Sequence, residues 1–238
     1  MDCRWQEWCS NSMLKMKIRI QAYQQILASR GGQAHVINHF SEAESEAELK
    51  LFSEAIRYLQ DPKLKKLAEA HQQDEVRHVQ ILHGILADLD SQPKKLPENM
   101  RFVRLIDDAK SIQSRGVIET ERDLCEFYSG ILMIERRTIF ELACVAAAAR
   151  QLALSWAANL DEIIEDERRH LGYCERVLSQ IKLSPAEKQQ IEKHYEQLEQ
   201  RAFVSLNRLD LDLVQKQGLV QIPKPIAFLY KKMLPLFA

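Results

Sequence analysis

Asp74-Glu75-Val76-Arg77-His78 is followed, 92 residues later, by Asp166-Glu167-Arg168-Arg169-His170. In each copy Glu and His stand three residues apart, about one helical turn, so both side chains leave the helix on the same face. Around the second copy, positions spaced by three and four read Leu160, Ile163, Ile164, Glu167, His170, Leu171, Cys174, Val177, Leu178 and Ile181. Around the first they read Leu64, Ala68, His71, Glu75, His78, Leu82, Ile85 and Leu89. A helix with such a stripe buries it, and a carboxylate inside the stripe is costly unless it is paired or bound to a metal. Two copies on separate helices predict an all-α chain with metal ligands in its interior.

Each pair needs a further carboxylate from a partner helix. In a helical hairpin, residues at equal height lie equally far from the turn. Counting back from Glu75 across Asp61-Pro62 reaches positions 44 to 48. Glu44 shares a stripe with Ile37, Phe40, Ala47 and Leu51 and is preferred, with Glu48 as the alternative. Glu42 and Glu46 are read as solvated. Opposite Glu167 the preferred residue is Glu135, on a stripe with Tyr128, Ile131, Leu132, Ile139 and Leu142, and Glu141 competes with it. The candidate set is thus Glu44, Glu75, His78, Glu135, Glu167 and His170. Four glutamates balance two divalent cations, whereas in an empty site of low dielectric some would take up protons. Carboxylates with one imidazole per metal suit iron or manganese and leave positions open. Asp74 and Asp166 are placed to anchor the ring nitrogen of a ligand histidine on a neighbouring helix. His71, on the stripe of Glu75 and His78, is either a further ligand or a buried hydrogen-bonded histidine.

The remaining pattern is helical almost throughout, with only seven Gly and seven Pro as punctuation. An N-terminal helix is predicted over 13–30, stopped by Gly31-Gly32, and a second from 34 to about 60. Asp61 as N-cap with Pro62 at the first helical position opens a third, to about 90. A loop and short helix fill the stretch to about 115, and two long helices occupy 116–181 with a turn between about 150 and 159. Asn159-Leu160-Asp161-Glu162 is read as a capping box, with Ser155 as a competing start, and Ser184-Pro185-Ala186-Glu187 as another box, which opens a helix reaching about 216. Gly218 ends that helix, and an apolar tail with Phe228, Leu229, Met233, Leu234 and Phe237 is expected to pack on the bundle.

A net charge of −1 and a pI of about 6.7 give no general attraction to nucleic acid. Five cysteines without CxxC spacing argue against a disulfide framework or a zinc ribbon. Neither a secretory signal nor a run of the roughly 20 apolar residues of a membrane span is evident, so a cytoplasmic location without stable membrane insertion is expected.

With those six residues in place, the chain resembles the ferritin-like di-iron carboxylate superfamily over about 34–181. Ile134-Glu135-Arg136-Arg137 is similar to the Ile-Glu-x-Arg element of tRNA-modifying hydroxylases. Ile139-Phe140-Glu141-Leu142-Ala143 is similar to the third-helix Glu segment of aldehyde-deformylating oxygenases. The resemblance implies a single ferritin-like domain over 1–238: a four-helix bundle with an N-terminal helix and a C-terminal helical extension at 184–238. It also implies two iron ions, with manganese or a mixed pair as variants, and an oxidoreductase of monooxygenase or oxidase type that activates O2. Its partners would be a small organic substrate or modified nucleoside and an external electron donor, and oligomers are possible. Tyr128 is a candidate redox tyrosine. Two other readings stay open: iron handling or peroxide scavenging without an organic substrate, as in ferritins and rubrerythrins, and a non-enzymatic helical interaction protein.

Overall fold

The computed structural model describes residues 4–45, 49–100, 116–220 and 224–236. Eight α-helices and no strand occur among them: α1 Arg4–Leu27, α2 Arg30–Ser45, α3 Leu49–Tyr58, α4 Pro62–Asp88, α5 Glu121–Gln151, α6 Asn159–Gln180, α7 Pro185–Lys216 and α8 Lys224–Met233. The short helix expected before residue 115 falls mainly on 101–115, outside the described residues. The helix expected over 34–60 is described as α2 and α3, and 46–48 lie outside.

Capping chemistry sets most of the boundaries. Asp61 accepts from the Lys63 backbone N–H at 2.8 Å, with Pro62 at the first helical position of α4. Ser184 and Glu187 form the reciprocal box expected of α7. An unexpected box, Thr120 with Asp123, opens α5. Asn159 does not cap α6. A 3-10 turn at Ser155–Ala158 leads directly into it, so the N-cap position falls on Ala158, which has no capping side chain. Gly218 takes a left-handed φ of 70° at the end of α7, where a residue with a Cβ is strained.

Gly31-Gly32 does not stop a helix. It lies inside the first turn of α2, where the Gly32 N–H donates to Ser29 Oγ at 3.0 Å. The pair is there for close approach: a Cβ on Gly32 would stand 1.8 Å from the Ile26 carbonyl oxygen. That obstacle is backbone and cannot rotate away. Gly32→Ala is therefore expected to lower stability by at least the roughly 1–3 kcal/mol of an overpacked core, read as a fall in the urea midpoint. An unchanged midpoint would contradict the tight α1–α2 turn.

α5 packs against α6, α1 and α7, while α2 packs on α4 and α4 on α6. Two apolar clusters result. One gathers Phe52, Phe127, Tyr128, Ile131, Val177 and Tyr195, and the other Ile37, Leu82, Ile85, Leu142, Val145, Leu160 and Ile163. Such burial supplies most of the folding free energy of a helical protein, since isolated helices are marginal in water. The C-terminal tail packs only in part: Ala227 and Leu234 are buried, whereas Phe228 and Leu229 are 64% and 58% exposed. Phe237 lies outside the described residues. No helix among the described residues is long and apolar enough to cross a membrane.

Candidate metal centre

Both pentads face one interior point from α4 and α6, and α2 and α5 add their glutamates to it. Ligand-type atoms of His71, Glu75, Glu135, Glu167 and His170 all lie within 4.8 Å of one another, and so do those of Glu44, Glu75, His78 and Glu167. All six residues expected from the sequence are thus brought together, and His71 joins them. Glu75 and Glu167 belong to both groups. Glu167 divides its carboxylate between them: Oε1 is 3.4 Å from His78 Nδ1, and Oε2 is 2.7 Å from His170 Nδ1.

The two alternatives part from this arrangement. Glu141 points away from the cluster into a buried pair with Arg19 of α1, and Tyr23 donates to it at 2.6 Å. Its register on α5 differs from that of Glu135 by six residues, which turns it toward α1. Glu48 lies outside the described residues, as does Glu46. Glu42 is not simply solvated, for its carboxylate accepts from the Leu96 backbone N–H at 3.1 Å.

The aspartates of the pentads cross over. Asp166 of α6 meets Nε2 of His78 on α4 at 3.2 Å, and Asp74 of α4 meets Nε2 of His170 on α6 at 3.2 Å. Each histidine therefore turns Nδ1 toward the cluster. Arg77 and Arg169 reinforce the crossing by pairing with both aspartates. His71 is held in the opposite sense. Its Nδ1 lies 3.2 Å from the Tyr173 hydroxyl, and its ring stacks on His170 at 3.5 Å between centroids. Nε2 then faces Glu75 at 2.9 Å and Glu135 at 3.1 Å. Tyr128, two turns from Glu135, is fully buried and meets Tyr173 edge-on at 5.7 Å.

Two of these inward nitrogens, His71 Nε2 and His78 Nδ1, are buried without a hydrogen bond although carboxylate oxygens stand 2.9–3.5 Å away. The ligand-type atoms crowd within 4.8 Å of one another, a spacing that donors around a cation also have. A lost or missing bond to a buried polar atom is expensive, and a divalent cation satisfies every donor at once. The donor set suits a hard or borderline metal of the iron and manganese type.

Electrostatics tell the same story. Burial, and then the adjacent Glu167 charge, push Glu135 well above the usual carboxylate range. Glu167 is held well below it: burial opposes its charge, but close polar contacts with Glu135, His170 and His78 outweigh that cost. His78 is desolvated too, yet contact with Glu167 and Glu44 raises it to about 10. Without cations, then, the cluster offsets its negative charge with a proton on His78 and by disfavouring ionisation of Glu135.

A cavity of about 710 Å³ opens beside the four glutamates. Its wall includes Ile18 and Ala22 of α1, Phe40 of α2, Phe203 and Leu206 of α7 and Tyr230 of α8, so the terminal helices close over the centre. Among the described lining residues there is no lysine, and the two arginines, Arg19 and Arg137, are ion-paired with Glu141 and Glu199. Sequence reasoning missed this cavity, because it depends on how α1 and α7 lie over the ligand helices.

Comparison with family models, curated proteins and solved structures finds no match to this chain.

Proposed function

We propose that this chain is a ferritin-like four-helix bundle holding two iron ions, and that it works as a non-haem di-iron oxygenase or oxidase on a small, largely apolar organic molecule. The observation that carries this reading is the Glu167 carboxylate, with one oxygen facing the Glu44–His78 group and the other facing the Glu135–His170 group. One ion would be held by Glu44 and His78, the other by Glu135, His170 and His71, with Glu75 and Glu167 shared. Ferrous ions held there would supply electrons and open positions for the reduction of O2. The electrons must be replenished by an external donor.

The protein's own contribution is orientation and exclusion of water. Asp166 and Asp74 fix the tautomer of His78 and His170, so that Nδ1 carries the lone pair. Tyr173 orients the His71 ring from the opposite ring atom, and it links the centre to the buried Tyr128, the redox candidate. The cavity supports an organic substrate over simple iron storage or peroxide removal, which need none. Its neutralised arginines and apolar wall favour a small molecule over a nucleic acid, although a modified nucleoside has the size to fit.

Reconstitution with ferrous iron under anaerobic conditions, followed by admission of O2 with a reductant, tests the reading. At least two irons per chain, two of them lost together when Glu75 and Glu167 are replaced, and reductant-dependent O2 uptake are expected. Rapid turnover of peroxide or ferrous ion alone, unaffected by any organic compound, favours the scavenging alternative; failure to bind metal leaves the interaction protein.

Two further outcomes follow from the geometry. Asp166→Asn is expected to weaken metal affinity roughly 10–100-fold while leaving the fold intact, measured by competition with a chelator. Equal affinity would mean that Asp166 serves only Arg77 and Arg169. Metal uptake should also release protons. At pH 7, below the raised value of His78 (about 10), that ring is protonated and must give up a proton to bind, and Glu135 holds its proton more tightly than an ordinary carboxylate. Affinity should therefore climb as pH rises from 6 to 8, roughly tenfold per pH unit for each proton expelled. Calorimetry in buffers of different ionisation enthalpy counts these protons, and a count of zero would contradict the charge balance described above.

A further inference from the structure

We propose that His35, His39 and Asp210 form a separate, mononuclear site for a borderline divalent cation of the zinc or ferrous type, in the wall of the same cavity. The two histidines stand one turn apart on α2, so their rings project side by side, with centroids 4.6 Å apart. Asp210 faces them from α7. Its Oδ1 lies 2.6 Å from His35 Nε2 and 3.2 Å from His39 Nε2, and the ligand atoms of all three residues fall within 4.8 Å of one another. Separations of this size between donors are those around a single cation bonded at about 2.0–2.2 Å.

A purely hydrogen-bonded reading leaves this group incomplete. One carboxylate oxygen stands before two imidazole nitrogens, and only His35 gains a good bond from it. His39 Nε2 is buried with no hydrogen bond. Burial also lowers the basicity of His39, to a pKa of about 4, so that its ring is neutral near pH 7 with a lone pair available to a metal. Asp210 stays ionised: burial opposes its charge, but the bond from His35 and the histidines' proximity lower its pKa. Two imidazoles and one carboxylate bind zinc or ferrous iron well and calcium or magnesium poorly. All three side chains line the cavity, so the remaining coordination positions face whatever occupies it. No residue is shared with the Glu75–Glu167 centre. The nearest ligands on α2, His39 and Glu44, are five residues apart, roughly 7.5 Å along the helix axis.

The test is Zn²⁺ equilibrium dialysis of the full chain after chelator treatment, with metal counted by elemental analysis. About three zinc ions per chain are expected for the wild type, about two for His39→Ala, and about one for the Glu75→Gln/Glu167→Gln variant. With Co²⁺ as probe, the latter variant should show a visible d–d band that Asp210→Asn abolishes. Helical circular dichroism verifies that each variant folds. Should the double variant not fold, wild type against His39→Ala decides alone. An unchanged count in His39→Ala, or a folded double variant that binds no zinc, overturns the proposal. A wild type holding a single ion that His39→Ala removes upholds it and sinks the di-iron reading instead.

Discussion

Glu167→Ala is expected to abolish the binding of both cations of the Glu75–Glu167 centre, and with it the protection those cations give against heat. Its two oxygens serve different histidines, so removing the carboxylate strips a ligand from each position together. Ligand present at about 1,000 times its dissociation constant stabilises a protein by about 4 kcal/mol. For a chain of this size that is a rise of roughly 8–16 °C in Tm. The wild type should show this rise when ferrous iron is added without oxygen, and Glu167→Ala should lose the share of it that the Glu75–Glu167 centre provides. Arg168→Ala, an exposed neighbour on the same helix paired with Glu165, serves as the control and should behave as wild type. An undiminished metal-dependent rise in Glu167→Ala would show that the cations bind elsewhere.

The second large effect lies outside the centre. Arg19 and Glu141 are a buried ion pair linking α1 to α5, with side chains 7% and 9% exposed. Arg19 also donates to Asn207 at 2.8 Å and to Tyr230 at 2.9 Å, tying α7 and α8 into the same knot. Arg19→Met removes the cation and leaves the Glu141 carboxylate buried with only Tyr23 for support. Breaking such a pair costs about 3–5 kcal/mol, a fall in Tm of roughly 6–20 °C. Arg19→Met combined with Glu141→Leu should recover most of the loss, since two apolar side chains pack in place of the two charges. Both variants should still bind two ions at the centre, because Glu141 faces away from it. A loss of metal in the double variant would return Glu141 to the ligand set.

The clustering of these His and Glu side chains was legible in the sequence because its signal is local. Helical period alone puts Glu75 beside His78 and Glu167 beside His170, and an acidic residue just before each Glu lands where a neighbouring histidine needs an anchor. Even Glu44 and Glu135 followed from counting across a hairpin. His71 had a readable signal in its spacing, four before Glu75 and seven before His78, but the Tyr173 bond that orients it comes from α6 and has no mark in the chain. What stayed hidden was set by contacts between distant segments. Glycine pairs usually end helices, and only the approach of the Ile26 carbonyl shows why Gly32 begins one. Asn159 has the right neighbours for a capping box, but the 3-10 turn before it continues straight into α6 and leaves nothing to cap. The choice between Glu135 and Glu141 turned on Arg19, 122 residues from Glu141. The cavity needed the placement of α1, α7 and α8, whose sequences carry no motif.

Anomalous diffraction at the iron edge, from crystals of the full chain loaded with ferrous iron, tests the central claim most directly. Two neighbouring peaks are predicted, both within bonding distance of Glu75 and Glu167, one beside His78 and the other beside His170. A single peak, or peaks confined to other parts of the molecule, would contradict a two-iron centre built on the repeated pentad.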